Sequence, residues 1–254
     1  MTGRTLLLLA ATALAACSPK SAEPTSLETT GPIRPDIAPA DFALLPCSGA
    51  SAQPCALLFA GGKRLLFGAP AGVSAALPAD DLAQLDAAFL MSLRPEDVEG
   101  LDEVRNRSWR AGRPDTLGVT GPGGTESLLD GLNLAFEQSD ALSFVEEGAP
   151  AGGFDAALLS LASEVGEETL VFDSGDLKVL AVSNGTGRTT YRIGYRDLGE
   201  AWHDLVLASC GGGEIAEGEW LADAGDRTRI GCTRTDADLA WPLSEPVFLE
   251  KAKP

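Results

Sequence analysis

Short apolar runs alternate with polar, glycine-containing breaks along most of the chain. Phe42–Leu45, Ala56–Ala60, Arg64–Phe67, Ala87–Leu90, Leu117–Val119, Leu170–Phe172, Lys178–Val182, Tyr191–Tyr195 and Asp204–Ala208 are apolar, β-branched or alternating. Each is long enough for a strand and too short for a core helix. Gly61-Gly62-Lys63 joins the second run to the third, turn chemistry that predicts a hairpin. Helical spacing appears instead at Asp81–Leu85, Pro95–Arg105, Thr125–Phe136 and Ala156–Val165. In the third of these, Leu128, Leu129, Leu132 and Phe136 share one side, and Thr125 offers a hydroxyl to cap the helix start. Strands interleaved with helices after an opening meander predict an α/β domain. With no internal repeat and no second linker, it spans about residues 40–254.

The first residues follow another pattern. Arg4 and the amino terminus precede an apolar run from Leu6 to Ala16, which ends in Leu14-Ala15-Ala16-Cys17. As a helix that run spans about 16 Å, too short for a hydrocarbon core of ~30 Å, so residues 1–16 read as a signal peptide. The tetrapeptide resembles the bacterial lipobox, which implies that Cys17 becomes the lipidated first residue. Residues 17–39 are rich in Pro, Ser, Thr and Glu, the composition of a flexible tether. The expected place is the bacterial cell envelope, anchored by lipid and facing the periplasm. Ser18 favours the outer membrane over the inner.

Hydrophobic residues make up 44% of the 254 and charged residues 22%, the balance of a chain with a core rather than a disordered one. Nineteen basic residues against 37 acidic give −18, and losing Arg4 with the leader gives −19. Such a field repels phosphate backbones, which argues against a nucleic-acid partner. In an oxidising compartment the cysteines left after Cys17 are Cys47, Cys55, Cys210 and Cys232, and four cysteines allow three pairings. Cys47 and Cys55 flank a Ser/Gly/Pro loop suited to a bridge across its base, which leaves Cys210 with Cys232. His203 is the single histidine, so no site needing two imidazoles can be built within one chain. Beside Trp202 in a polar turn, it reads as exposed or satisfied by a neighbour.

Three passages carry a family likeness. Arg64-Leu65-Leu66-Phe67-Gly68-Ala69-Pro70-Ala71-Gly72-Val73 is the first. Leu85–Leu101, continued by Arg107-Ser108-Trp109, Ala111-Gly112-Arg113 and Val119–Thr125, is the second. Lys178–Gly185 with Tyr191-Arg192-Ile193 and Leu205–Ala208 is the third. Their order and spacing resemble the ribonuclease Z-like branch of the metallo-β-lactamase fold. The resemblance covers about residues 56–211 and implies an αββα sandwich, here shortened at its C-terminus. In that family neutral imidazoles and a bridging carboxylate hold two metal ions that activate water. Matched residue by residue, two motif histidines fall on Ser92 and Arg94, the aspartate on Glu96 and the next histidine on Asp97. A further histidine falls on Asn184, and the bridging aspartate on or beside Cys210.

Histidine is missing from every ligand position, and Arg94 puts a fixed positive charge where a cation would sit. Each departure also has a structural reading. Arg94 suits a surface cation paired with Glu96, Asp97 or Glu99, and Pro95, Glu96 and Asp97 suit a helix first turn. Gly121-Pro122-Gly123-Gly124-Thr125 lacks the lysine of a phosphate loop and suits a turn into a helix. The expectation is a degenerate family member: an envelope lipoprotein with no catalytic residue, no metal and no cofactor. It would act in periplasmic binding or scaffolding toward an unidentified protein or small ligand. The alternative is a hydrolase with a rewired oxygen site, using Glu96, Asp97 and Asn184 to hold magnesium or calcium. A third option is a purely structural surface protein. Replacing Cys17 by Ser is expected to move the protein from the membrane pellet to the soluble fraction on ultracentrifugation, because lipid supplies the membrane affinity. A variant that pellets like the parent would refute the lipidated tether.

Overall fold

The computed structural model describes residues 35–148, 150–212, 224–225, 227–235 and 237–252. The leader, Cys17 and the tether up to residue 34 lie outside the described residues. No described helix is long and apolar enough to cross a membrane. Strands β1 (Phe42–Pro46), β2 (Ala56–Ala60) and β3 (Lys63–Phe67) form the predicted meander, with β2 and β3 as the hairpin. Two short helices follow, α1 (Val73–Ala76) and α2 (Ala79–Ala83), then β4 (Ala87–Phe89), α3 (Pro95–Val98) and α4 (Leu101–Arg110). Next come β5 (Leu117–Pro122), the long α5 (Thr125–Glu147) and β6 (Leu159–Val165). A second group runs β7 (Thr169–Asp173), β8 (Leu177–Ser183), β9 (Thr189–Arg196) and β10 (Trp202–Ala208). The chain closes with β11 (Arg227–Gly231), β12 (Leu239–Ala240) and β13 (Val247–Glu250).

These strands make two sheets. The first has the order β13-β1-β2-β3-β4-β5-β6 and the second β12-β11-β10-β9-β8-β7. From β3 to β6 the first sheet is parallel; β7 to β10 is an antiparallel meander, to which β11 and β12 add in parallel. Alternation along the strands decides which side chains meet. Leu44, Leu58, Leu65, Phe67 and Phe89 face Tyr191, Ile193, Leu205 and Leu207 between the sheets. Leu57, Leu66, Ala88 and Val119 point the other way, onto Val73, Leu82, Leu101, Val104 and Leu129 of the helices. The inner strands of the first sheet, from β1 to β5, are therefore covered on both sides, which is why they read as apolar runs. Among the described residues every α-helix belongs to this one outer layer, so the layers read α, β, β.

Four expectations need correction. Residues 156–165 are not a helix: a 3₁₀ turn at Asp155–Ala157 leads into β6, whose ends Leu159 and Val165 are buried while Ser160, Ala162 and Glu164 are exposed. The Arg113 guanidinium donates to the Ala156 carbonyl at 2.7 Å, taking an acceptor that a helix would need, and β5 supplies the ladder. Pro95–Arg105 is two helices broken at Gly100. A side chain there would stand 2.0 Å from the Pro70 carbonyl, and Gly100 instead donates its N–H to Ala69 at 2.9 Å. The helix expected to end at Phe136 continues to Glu147, and its cap is Gly124 rather than Thr125, whose hydroxyl donates to the Pro122 carbonyl. His203 lies in β10 rather than in a turn.

Charged groups are buried where they find partners. Asp204 accepts from Arg192 at 2.9 Å and from Arg227 at 2.7 Å, tying β9, β10 and β11 together. Asp41 accepts from the N–H of Ala38 and from that of Ala252, each at 2.8 Å, and so joins the two ends of the domain. Arg113 is pulled down to about 10, first by burial and then by the nearby Arg105. Arg105 of α4 is fully buried and forks onto Asp140 of α5 through both carboxylate oxygens. Removing one member of such a pair strands a buried charge, at a cost of about 3–5 kcal/mol. Asp140→Ala is therefore expected to lower the urea midpoint by that equivalent at unchanged slope, while R105M/D140L recovers most of the loss. Equal stability of Asp140→Ala and parent would show that the pair does not hold α4 to α5.

Candidate functional site

The carboxyl ends of the parallel strands of the first sheet meet the β8–β9 turn and the end of β10, and the residues singled out by sequence gather at this edge. Two bonds between the sheets set it up. The Thr189 N–H donates to the Met91 carbonyl at 2.8 Å, and the Tyr191 hydroxyl donates to the Leu90 carbonyl at 2.7 Å. Tyr191 is fully buried, and burial drives its ionisation far above the ordinary tyrosine range, so it acts as a fixed donor. Its ring packs edge-on against Phe67 and Phe89, with centroids at 5.3 and 5.5 Å.

After β4 the chain turns through Leu90–Arg94. Ser92 is buried and donates its hydroxyl to the Asp97 carboxylate, itself buried, while accepting the Arg94 N–H at 3.1 Å. Asp97 thus closes the loop onto the start of α3, where acids suit the first turn. Arg94 and Glu96 are exposed. No ion pair links Arg94 to Glu96, Asp97 or Glu99 among the described residues, so the pairing expected for Arg94 is corrected: Ser92 takes the Asp97 carboxylate instead. Across the edge, Asn184 accepts from the Thr186 N–H, the Thr186 hydroxyl and the Arg188 N–H on its own turn. Its amide donates to the Gly211 carbonyl at 2.7 Å. Cys210 is bonded to Cys232 with Cα atoms 5.3 Å apart, and Cys47 to Cys55 at 5.1 Å, both within the normal range for a disulfide.

At the start of α5 the glycine-rich turn works as a lead into the helix. The Gly124 N–H donates to the Glu164 carboxylate at 3.3 Å, so the anion at this helix end is one of the protein's own side chains. Glu164 was missed by sequence reasoning because its segment was read as helical; the alternation Leu159, Leu161, Ser163, Val165 was the available signal. Among the described residues the buried hydroxyls of Thr120, Thr190 and Ser209 have no hydrogen-bond partner, and no local sequence signal marks them. His203 sits near the start of β10, about 20 Å along the strand from Cys210. Its Nε2 lies 3.0 Å from Asp197, and this contact holds the Asp197 carboxyl below the ordinary range.

Among the described residues the donor set does not suit the two-metal centre that the resemblance implies. Imidazole is absent from the edge, the Cys210 sulfur is spent in a disulfide, and the Asn184 oxygen already takes three donors. Among the described residues no group of three or more His, Cys, Asp or Glu is placed to hold a metal ion. Of the oxygen ligands weighed for a rewired site, Asp97 is turned to Ser92, Asn184 to its own turn, and Glu96 is exposed.

No protein-family profile and no curated protein sequence matches the chain. Solved structures do. Human tRNase Z, short form, is 13% identical, with 75% of this chain and 74% of that one covered and a TM-score of 0.49. The metallo-β-lactamase fold protein YhfI from Bacillus subtilis is 13% identical, covering 67% and 63% at a TM-score of 0.42. Unliganded yeast PDE1 is 9% identical, covering 75% of each chain at 0.45. Identities this low speak to fold alone.

Asn184 gives the edge its test. Asn184→Ala removes the bond across to Gly211 and the acceptor of its own turn, and is expected to cost about 1–3 kcal/mol in urea unfolding. It should also make Cys210–Cys232 open faster to dithiothreitol than in the parent, with Cys47–Cys55 unchanged, as read by alkylation and mass spectrometry. Unaltered reduction of Cys210–Cys232 would show that Asn184 does not hold the segment after β10.

Proposed function

We propose that the chain is a lipid-anchored envelope protein whose metallo-β-lactamase-like domain serves in binding or scaffolding in the periplasm, without metal-dependent hydrolysis. The observation that carries this reading is that four of the six positions matched to the family's ligands, Ser92, Asp97, Asn184 and Cys210, are occupied by other bonds. Ser92 and Asp97 satisfy each other, Asn184 locks two loops and Cys210 is crosslinked. None of these four residues could turn to an ion without breaking a bond that shapes the edge. The sequence Leu14-Ala15-Ala16-Cys17 supports the lipid anchor, and two disulfides suit an oxidising compartment.

The experiment is a thermal melt of the purified full chain with and without millimolar zinc, manganese or magnesium. A metal that binds only the folded state stabilises it by about 2.7 kcal/mol at 100 times its Kd. The expected result is an unchanged Tm, with no hydrolysis of phosphodiesters, β-lactams or thioesters above a heat-killed control. Stoichiometric metal by elemental analysis, with turnover that falls in E96A/D97A, would overturn the reading in favour of a rewired hydrolase.

A further inference from the structure

The large apolar side chains left exposed among the described residues are Leu134 at 73%, Leu142 at 60%, Val145 at 81%, Leu170 and Leu198. Three of these five stand on one side of α5. Its inner side is committed: Leu129 and Asp140 are buried, Leu128 and Leu132 pack on the core, and Phe136 lies under the Arg105 guanidinium at 5.4 Å. The outward positions Gly131, Leu134, Gln138, Ala141 and Val145 are all exposed and follow one another at spacings of three and four. That is the seam of a heptad pattern, about 21 Å long, with Leu142 beside it. Nothing lies within 4 Å of where a side chain would stand on Gly131, so a neighbouring backbone could approach closely.

The charges beside the seam state what would cover it. The helix carries no Lys or Arg along its length. Asp130 and Glu137, one heptad apart, line one edge, and among the described residues neither is paired with a cation. A second copy would bring the same acidic edge on a chain of net charge −18, and an anionic bilayer would be repelled in the same way. We infer that the outer face of α5 docks a helix of another protein. Such a helix presents an apolar heptad seam edged by Lys or Arg at heptad spacing, opposite Asp130 and Glu137. Gln138 within the seam would set the register, as a lone polar residue does in coiled coils. This face shares no residue with the strand-end edge, so it stands or falls independently of whether that edge proves catalytic.

The test uses the full chain and two fluorescein-labelled synthetic helices, both with Leu at the seam positions, one edged with Lys and one with Glu. Fluorescence anisotropy is expected to show saturable binding of the Lys-edged helix, weakened roughly tenfold or more by L134Q/V145Q and to a similar extent by high salt. Leu198→Gln, which removes an exposed Leu elsewhere, should leave binding unchanged. All three substitutions are at exposed positions, and far-UV circular dichroism checks that folding is retained. Absence of binding, equal binding of the Glu-edged helix, or full binding by L134Q/V145Q would overturn the inference. So would a dimer of the chain alone in sedimentation equilibrium that L134Q/V145Q dissociates, since the occupant would then be a second copy.

Discussion

Leu57 and Leu58 are neighbours in one strand, and both are fully buried. A strand with no solvent side needs an apolar partner on each face, and the same demand recurs at Leu65 and Leu66. The second sheet answers on one side with Tyr191, Ile193, Leu205 and Leu207, and the helices answer on the other with Val73, Leu101, Val104 and Leu129. Much of the rest follows from keeping those two covers in place. Arg105 and Asp140 clamp two helices of the outer cover, and the Tyr191 hydroxyl on the Leu90 carbonyl pins the inner one at the strand ends.

At that pinned edge the polar side chains serve the architecture. A two-metal hydrolase needs loops that present ligands inward and leave them free to coordinate. Here Ser92, Asp97 and Asn184 turn their polar atoms toward each other or toward backbone. Asp97 takes the Ser92 hydroxyl, Asn184 reaches the Gly211 carbonyl, and Glu164 sits at the amide end of the longest helix. Among the described residues, the buried hydroxyls of Thr120, Thr190 and Ser209 are left without a hydrogen-bond partner.

How much of this could be read in advance depends on how local the cause is. The meander, the hairpin at Gly61-Gly62 and the strands from Lys178 to Ala208 were legible because period and turn chemistry are local signals. So was the pairing of Cys47 with Cys55 across a short turn-rich loop. The strand at Leu159–Val165 was not, since Ala156-Ala157-Leu158-Leu159 has the composition of a helix and only the neighbouring β5 makes it extended. The C-terminal strands were hidden for a like reason. Arg227-Thr228-Arg229 is polar and gains its place from Asp204, 23 residues earlier. The location of the candidate edge could be inferred from the spacing of its motifs. The exposure of Arg94 was legible too, but that Ser92 would take the Asp97 carboxylate and Asn184 would bridge to a segment 27 residues away was not, because both depend on contacts made only once the chain has closed.

The hydrogen bonds of Asp41 have a mechanical meaning. Its carboxylate holds the chain just before β1 and just after β13, and β1 is itself zipped between β13 and β2. A pull on the N-terminal side enters the domain at this knot and runs along β1 while two antiparallel neighbours hold it. A load directed along β1 is shared by its ladder bonds with both neighbours, whereas one drawing the two chain ends apart would open β1 from β13 bond by bond. The Asp41 bonds stand first in the path of either load.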